Sequence, residues 1–192
     1  MDAFLICLSV VALAEIGDKT QLLALALAAR WHKPAPIILG VLLGTLANHA
    51  AAGAVGTLLA HLIDARVMNW IVVASFAGVA IWMLVPDRLD AGADAGAAGT
   101  LGIVGSTALA FFLAEMGDKT QVATVTLAAR FQEFVPVVAG TTLGMMIANV
   151  PVVLLGHHFA ARLPTRAIHI GAALIFVVLG ALSLHTALFA AR

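Results

Sequence analysis

The chain has 192 residues, 62% of them hydrophobic and 10% charged, with ten acidic and ten basic side chains and a mean hydropathy of +1.08. A soluble domain is about half apolar and a quarter charged, so these proportions define an all-α integral membrane protein, and the balanced charge gives a nucleic acid nothing to bind. A lone cysteine, Cys7, excludes an intrachain disulfide, and no Cys/His cluster has the spacing that holds zinc.

In chain order, apolar segments cover residues 3–29, 35–63, 67–85, 101–129, 135–163 and 167–190. Each meets the requirement of about 20 residues for a spanning helix. Short polar punctuation separates them: "RWHKP" at 30–34, "DAR" at 64–66, "PDRLDAGADAGAAG" at 86–99, "RFQEF" at 130–134 and "RLPTR" at 162–166. No soluble domain fits between them, so the activity lies within the bilayer. "VALAE" mimics a signal-cleavage site, but the n-region carries Asp2 and no Lys or Arg, and the following motif recurs internally, so residues 1–31 read as a mature helix.

The first segment contains "AEIGDKTQ" at 14–21 and the fourth "AEMGDKTQ" at 114–121, 100 residues later. Leu27 to Arg30 recur at 127–130, and Pro36, Gly40, Leu43 and Gly44 at 136, 140, 143 and 144; Asn48 matches Asn149 after a one-residue slip. The chain thus divides into a three-helix repeat at 1–85, a short acidic Ala/Gly linker at 86–100 and a second three-helix repeat at 101–192. Three is odd, so the second repeat enters the membrane upside down: six transmembrane helices as two inverted three-helix repeats, the plan of many secondary transporters. Segments such as the first, at 1.5 Å per residue, run about 40 Å against a hydrocarbon core of about 30 Å, and Gly17 and Gly117 mark the breaks that absorb the excess. Gly40, Gly44, Gly140 and Gly144 supply small-xxx-small spacing for close helix approach. Loops on one side hold Arg30, Lys33, Arg88, Arg162 and Arg166 against Arg66, Arg130 and Arg192 on the other, so the positive-inside rule places both termini outside the cytoplasm by a margin of two charges.

Ionised groups at mid-bilayer cost several kcal/mol unless paired or hydrated. Glu15 and Asp18 are three apart, hence on one helix face that Gln21 continues, with Lys19 in reach of Glu15; Glu115, Asp118, Gln121 and Lys119 repeat this. If the two motifs meet, four carboxylates and two lysines carry a net charge of −2, which one divalent cation or two protons neutralise. Such a site crosses the membrane loaded and not empty, the behaviour of an exchanger. The Glu, Asp, Gln and Thr side chains and freed backbone carbonyls are hard oxygen ligands, suited to Ca²⁺, Mn²⁺ or Mg²⁺ and not to Cu⁺ or Zn²⁺. Asn48, His49 and Asn149 lie mid-helix, and an imidazole would tilt the set toward Mn²⁺. Structural readings stand beside these: a plain Glu15–Lys19 ion pair, interhelical hydrogen bonds for the two asparagines, packing for His49. His32, His61, His157, His158, His169 and His185, with Trp31, Trp70 and Trp82, read as interfacial or packing residues.

"EIGDKT" and "EMGDKT", one in each three-helix half, resemble the doubled motif of the Gdt-one type cation/proton exchangers, which include Golgi manganese and calcium transporters and belong to the lysine-exporter superfamily. The resemblance covers nearly the whole chain. It implies a multi-pass protein of the bacterial plasma membrane that exports Mn²⁺ or Ca²⁺ in exchange for protons and needs no cofactor. It implies a cation path through Glu15, Asp18, Glu115 and Asp118, with Thr20 and Thr120 contributing. The acidic linker, with Asp87, Asp90 and Asp94, resembles the family's central loop. An amino-acid or other small-solute exporter of the same superfamily is the alternative, although nothing here would recognise a carboxylate end. An intramembrane aspartyl protease is disfavoured by the absence of tyrosine and by Glu where the first Gly of its motif would stand.

Overall fold

The structure, a computed structural model, describes residues 2–84, 100–155 and 165–189. The linker at 86–99 with its acidic residues and Arg88, as well as His157, His158, Arg162 and Arg192, lies outside the described residues. Within them every regular element is helical: α1 (Asp2–Glu15), α2 (Lys19–Trp31), α3 (Pro34–Leu62), α4 (Ala65–Trp82), α5 (Thr100–Glu115), α6 (Lys119–Phe131), α7 (Phe134–Leu155) and α8 (Thr165–Phe189).

Four of these, α3, α4, α7 and α8, are long and apolar enough to cross a membrane, and α5 with α6 makes a fifth crossing if the pair, bent by 75°, is taken as one. α1 and α2, at 14 and 13 residues, are each too short alone for a span of about 20. The first and fourth apolar segments are therefore each two helices. The cause is local: Gly17 and Gly117 adopt φ of +84° and +74°, which an L side chain resists, and Asp18 and Asp118 follow in extended backbone before the next helix starts. α2 and α6 then stop on left-handed residues, His32 and Gln132, just ahead of the prolines in the first turns of α3 and α7.

The repeats are not packed side by side but exchanged: α1 lies on α7, α3 on α5, and α4 on α8. The predicted glycines sit in those crossings. A side chain at Gly144 would come within 2.7 Å of the Leu8 carbonyl on α1, and one at Gly40 within 2.8 Å of the Val104 carbonyl on α5. At the α4–α8 crossing Phe76 meets Phe176 with ring centroids 6.0 Å apart, a pair again separated by 100 residues. Leu174, Val177, Val178 and Leu182 of α8 are exposed while Glu15, Asp18, Glu115 and Lys119 are fully buried. Apolar groups outside and ionised groups inside is the arrangement a lipid solvent requires.

Candidate functional site

Each broken helix delivers its motif to the centre from a fixed backbone position. Glu15 and Glu115 end α1 and α5, and Asp18 and Asp118 stand at the starts of α2 and α6. One carboxylate oxygen from each of Glu15, Glu115 and Asp118 lies within 4.8 Å of the others. An ion with metal–oxygen distances of about 2.0–2.6 Å can bridge such a spacing.

The lysines are used differently from the sequence reading. Lys19 pairs not with Glu15 in its own motif but with Asp118 of the other repeat, at 2.9 Å, and Lys119 pairs with Asp18 at 3.0 Å. The helical i, i+3 and i, i+4 geometry expected among Glu15, Asp18 and Lys19 does not arise, because the helix is interrupted between Glu15 and Lys19. Crossed pairing consumes both aspartates and both lysines. The two glutamates remain, each receiving a hydroxyl on one oxygen: Thr20 donates to Glu15 Oε2 at 2.7 Å and Thr120 to Glu115 Oε2 at 2.8 Å. Thr120 also lies 3.2 Å from Asp118 Oδ2. The other oxygen, Oε1, of both glutamates is buried without a hydrogen-bond partner among the described residues. Buried carboxylate oxygens left without a donor, on two residues of the same cluster, are positions at which a cation or protons would be held.

The glutamines brace the breaks. Gln21 accepts the Gly17 N–H at 2.8 Å and Gln121 the Gly117 N–H at 2.7 Å, each satisfying a donor that the interruption orphans. Their amide nitrogens reach the opposite repeat: Gln21 donates to the Ala148 carbonyl at 2.8 Å, and Gln121 lies 3.4 Å from Asn48 Oδ1. Asn48 donates in turn to the Phe112 carbonyl at 3.2 Å. Asn149 turns inward on its own helix, donating to the Met145 carbonyl with the Met145 sulfur 3.0 Å away, and its Oδ1 is buried and unpartnered among the described residues. His49 is buried on α3 outside the carboxylate cluster, both ring nitrogens lacking partners among the described residues.

One contact carried no signal in the sequence. His169 of α8, read there as interfacial, lies with Nε2 2.7 Å from the Ile16 carbonyl, one of the carbonyls that the first break exposes. Only tertiary packing brings it there, across about 150 residues of chain.

Buried, crossed ion pairs around two uncompensated glutamates, inside a helical chain with an apolar exterior, define a multi-pass membrane protein built to pass ions. The chain belongs to the family described as "Divalent cation/proton antiporter GDT1", which matches residues 3–91 and 103–190, one match per repeat. It is 45% identical over 190 residues to a Vibrio cholerae serotype O1 protein named "Putative manganese exporter", covering 98% of this chain and 92% of that one. It is 29% identical over 206 residues to a GDT1-like protein of Synechocystis, covering 95% and 97% of the two. No solved structure gives a significant match.

Proposed function

We propose that the chain exports Mn²⁺ from a bacterial cell across the plasma membrane in exchange for protons, as six spans in two inverted repeats, with Glu15, Glu115 and Asp118 as the central ligands and Asp18 in the same path. The observation that carries this reading is the pair of unpartnered Glu15 and Glu115 oxygens left after Lys19 and Lys119 have neutralised the two aspartates. The residual charge of −2 resides on those two side chains, and one Mn²⁺ or two protons cancel it. Cargo and counter-ion therefore compete for the same atoms, which is what obligatory exchange needs. Thr20 and Thr120 orient the glutamates; Gly17, Gly117, Gln21 and Gln121 hold the breaks in shape; Asn149 offers a further oxygen. The relative named for manganese supports Mn²⁺; the all-oxygen donor set suits Mn²⁺ and Ca²⁺ alike, and His49, whose imidazole would tilt it toward Mn²⁺, lies outside the cluster.

The test is Mn²⁺ and Ca²⁺ flux in proteoliposomes under an imposed pH gradient. Mn²⁺ uptake driven by the gradient, with collapse of the gradient on adding Mn²⁺, is the expected result. Glu15→Gln and Glu115→Gln should each reduce it about 100-fold or more, the scale of losing a metal's own ligand or its support. Flux that survives either change, or that ignores the gradient, rules the exchange reading out.

A further inference from the structure

The two repeats carry nearly the same motif on the same broken-helix backbone, yet the side chains around it make different contacts. Both glutamines follow Asp-Lys-Thr, and both asparagines follow alanine, at Ala47–Asn48 and Ala148–Asn149. On one side Gln121 reaches the Asn48 side chain, whose amide also holds the Phe112 carbonyl. On the other side Gln21 reaches past Asn149 to the carbonyl of the preceding Ala148, and Asn149 folds back onto Met145 with its Oδ1 unused.

Packing differs in the same sense. α4 covers α6 and α8 covers α1, whereas the twofold-related pairs, α8 with α2 and α4 with α5, have no comparable packing among the described residues. Arg130, at the end of α6, bonds Ser183 of α8 at 3.1 Å. Positions that correspond in sequence have opposite exposure: Thr126 is buried and Ala26 exposed, and the Lys119 side chain is sealed at 0% where that of Lys19 is 24% exposed. The glutamine and asparagine are the same in both copies, so either set of contacts is chemically open to each of them.

We propose that Gln121–Asn48 and Gln21–Asn149 are alternating latches, the first engaged and the second released in this structure, and that the transporter changes the face it closes by exchanging them. In the other state Gln21 grips Asn149 Oδ1, Gln121 moves to the Ala47 carbonyl, and the α4–α8 pair leaves α6 for α2. Asn48 and Asn149 are then positioning residues whose effects on the conformational equilibrium have opposite sign. The inference rests on the inverted-repeat exchanger reading but does not depend on which ion is carried.

The experiment uses the full chain with Cys7→Ala and one reporter, Thr126→Cys, whose reaction rate with a water-soluble maleimide measures how often the α6 side opens. One hydrogen bond shifts such an equilibrium by about five-fold. Asn48→Ala should raise the rate about five-fold, Asn149→Ala should lower it by a similar factor, and the double substitution should return it to the starting value. Serine substitutions at both positions, gentler to folding, should give the same order. Changes of the same sign, no change, or a double variant no nearer the starting value than either single one would overturn the latch. Labelling needs no transported ion, so the absence of both Mn²⁺ and Ca²⁺ flux in preparations that label in this order would overturn the exchange of ions and not the switching of the latch.

Discussion

The two crossed ion pairs look equivalent by motif, but the structure makes them unequal, and the inequality is measurable. Lys119 and Asp18 are both 0% exposed, while Lys19 retains 24% exposure beside Asp118 at 3%. Removing one partner of a fully buried pair costs about 3–5 kcal/mol, because the remaining charge keeps its desolvation penalty and loses its counter-ion. Lys119→Met should therefore lower the melting temperature of the detergent-solubilised protein by roughly 6–20 °C, at about 2–4 °C per kcal/mol for a chain of this size. Lys19→Met removes a side chain that is 24% exposed where that of Lys119 is sealed, so it should cost half of that or less, the surviving Asp118 being less completely enclosed. Adding Asp18→Asn to Lys119→Met should recover most of the loss, by a coupling of about 2–3 kcal/mol. Melting followed by fluorescence of tagged protein on size exclusion gives all four values. Equal losses for the two lysine variants, or additive losses in the double variant, would refute the crossed pairing and its unequal burial.

Other outcomes follow from the same geometry. Thr20→Ala and Thr120→Ala remove the hydroxyl that orients a glutamate, and each should slow Mn²⁺ flux about 10-fold with little change in melting temperature; Thr→Ser should restore it. Gly44→Val drives a side chain into the Ala108 backbone on α5 and should cost about 1–3 kcal/mol, whereas Gly78→Ala, where a Cβ meets nothing within 4 Å, should be neutral or stabilise by about 0.5–1 kcal/mol. Thermal melts of the two variants separate a packed helix crossing from a glycine that merely faces outward.

Much of this was legible in the residues. The 100-residue recurrence of Glu-x-Gly-Asp-Lys-Thr-Gln, the glycine inside each copy and the paired Gly40/Gly44 and Gly140/Gly144 spacings marked the breaks and the close helix crossings, because backbone freedom and steric size act locally. The partner of each lysine was not legible. Spacing along one helix pointed Lys19 at Glu15, and only the interruption at Gly17 and the exchanged packing of the repeats turn it toward Asp118. His169 escaped for a related reason: a histidine near the start of an apolar helix looks the same whether it faces lipid or the Ile16 carbonyl. The difference between Asn48 and Asn149 was hidden altogether, since near-identical sequence cannot say which copy holds which shape.

The exchanged packing also sets an order in time. A ribosome delivers Glu15 and Lys19 about 100 residues before Asp118 and before α7, the helix on which α1 comes to rest. At about 5–20 residues per second that is roughly 5–20 s during which charged residues sit in a nascent membrane segment without their final neighbours. The first half must therefore wait, held at the insertion machinery or at the lipid–water boundary, and it is the arrival of the second half that draws it in. Made as two separate polypeptides, the halves would each wait on the other, so their joint synthesis should yield folded protein where either alone is degraded.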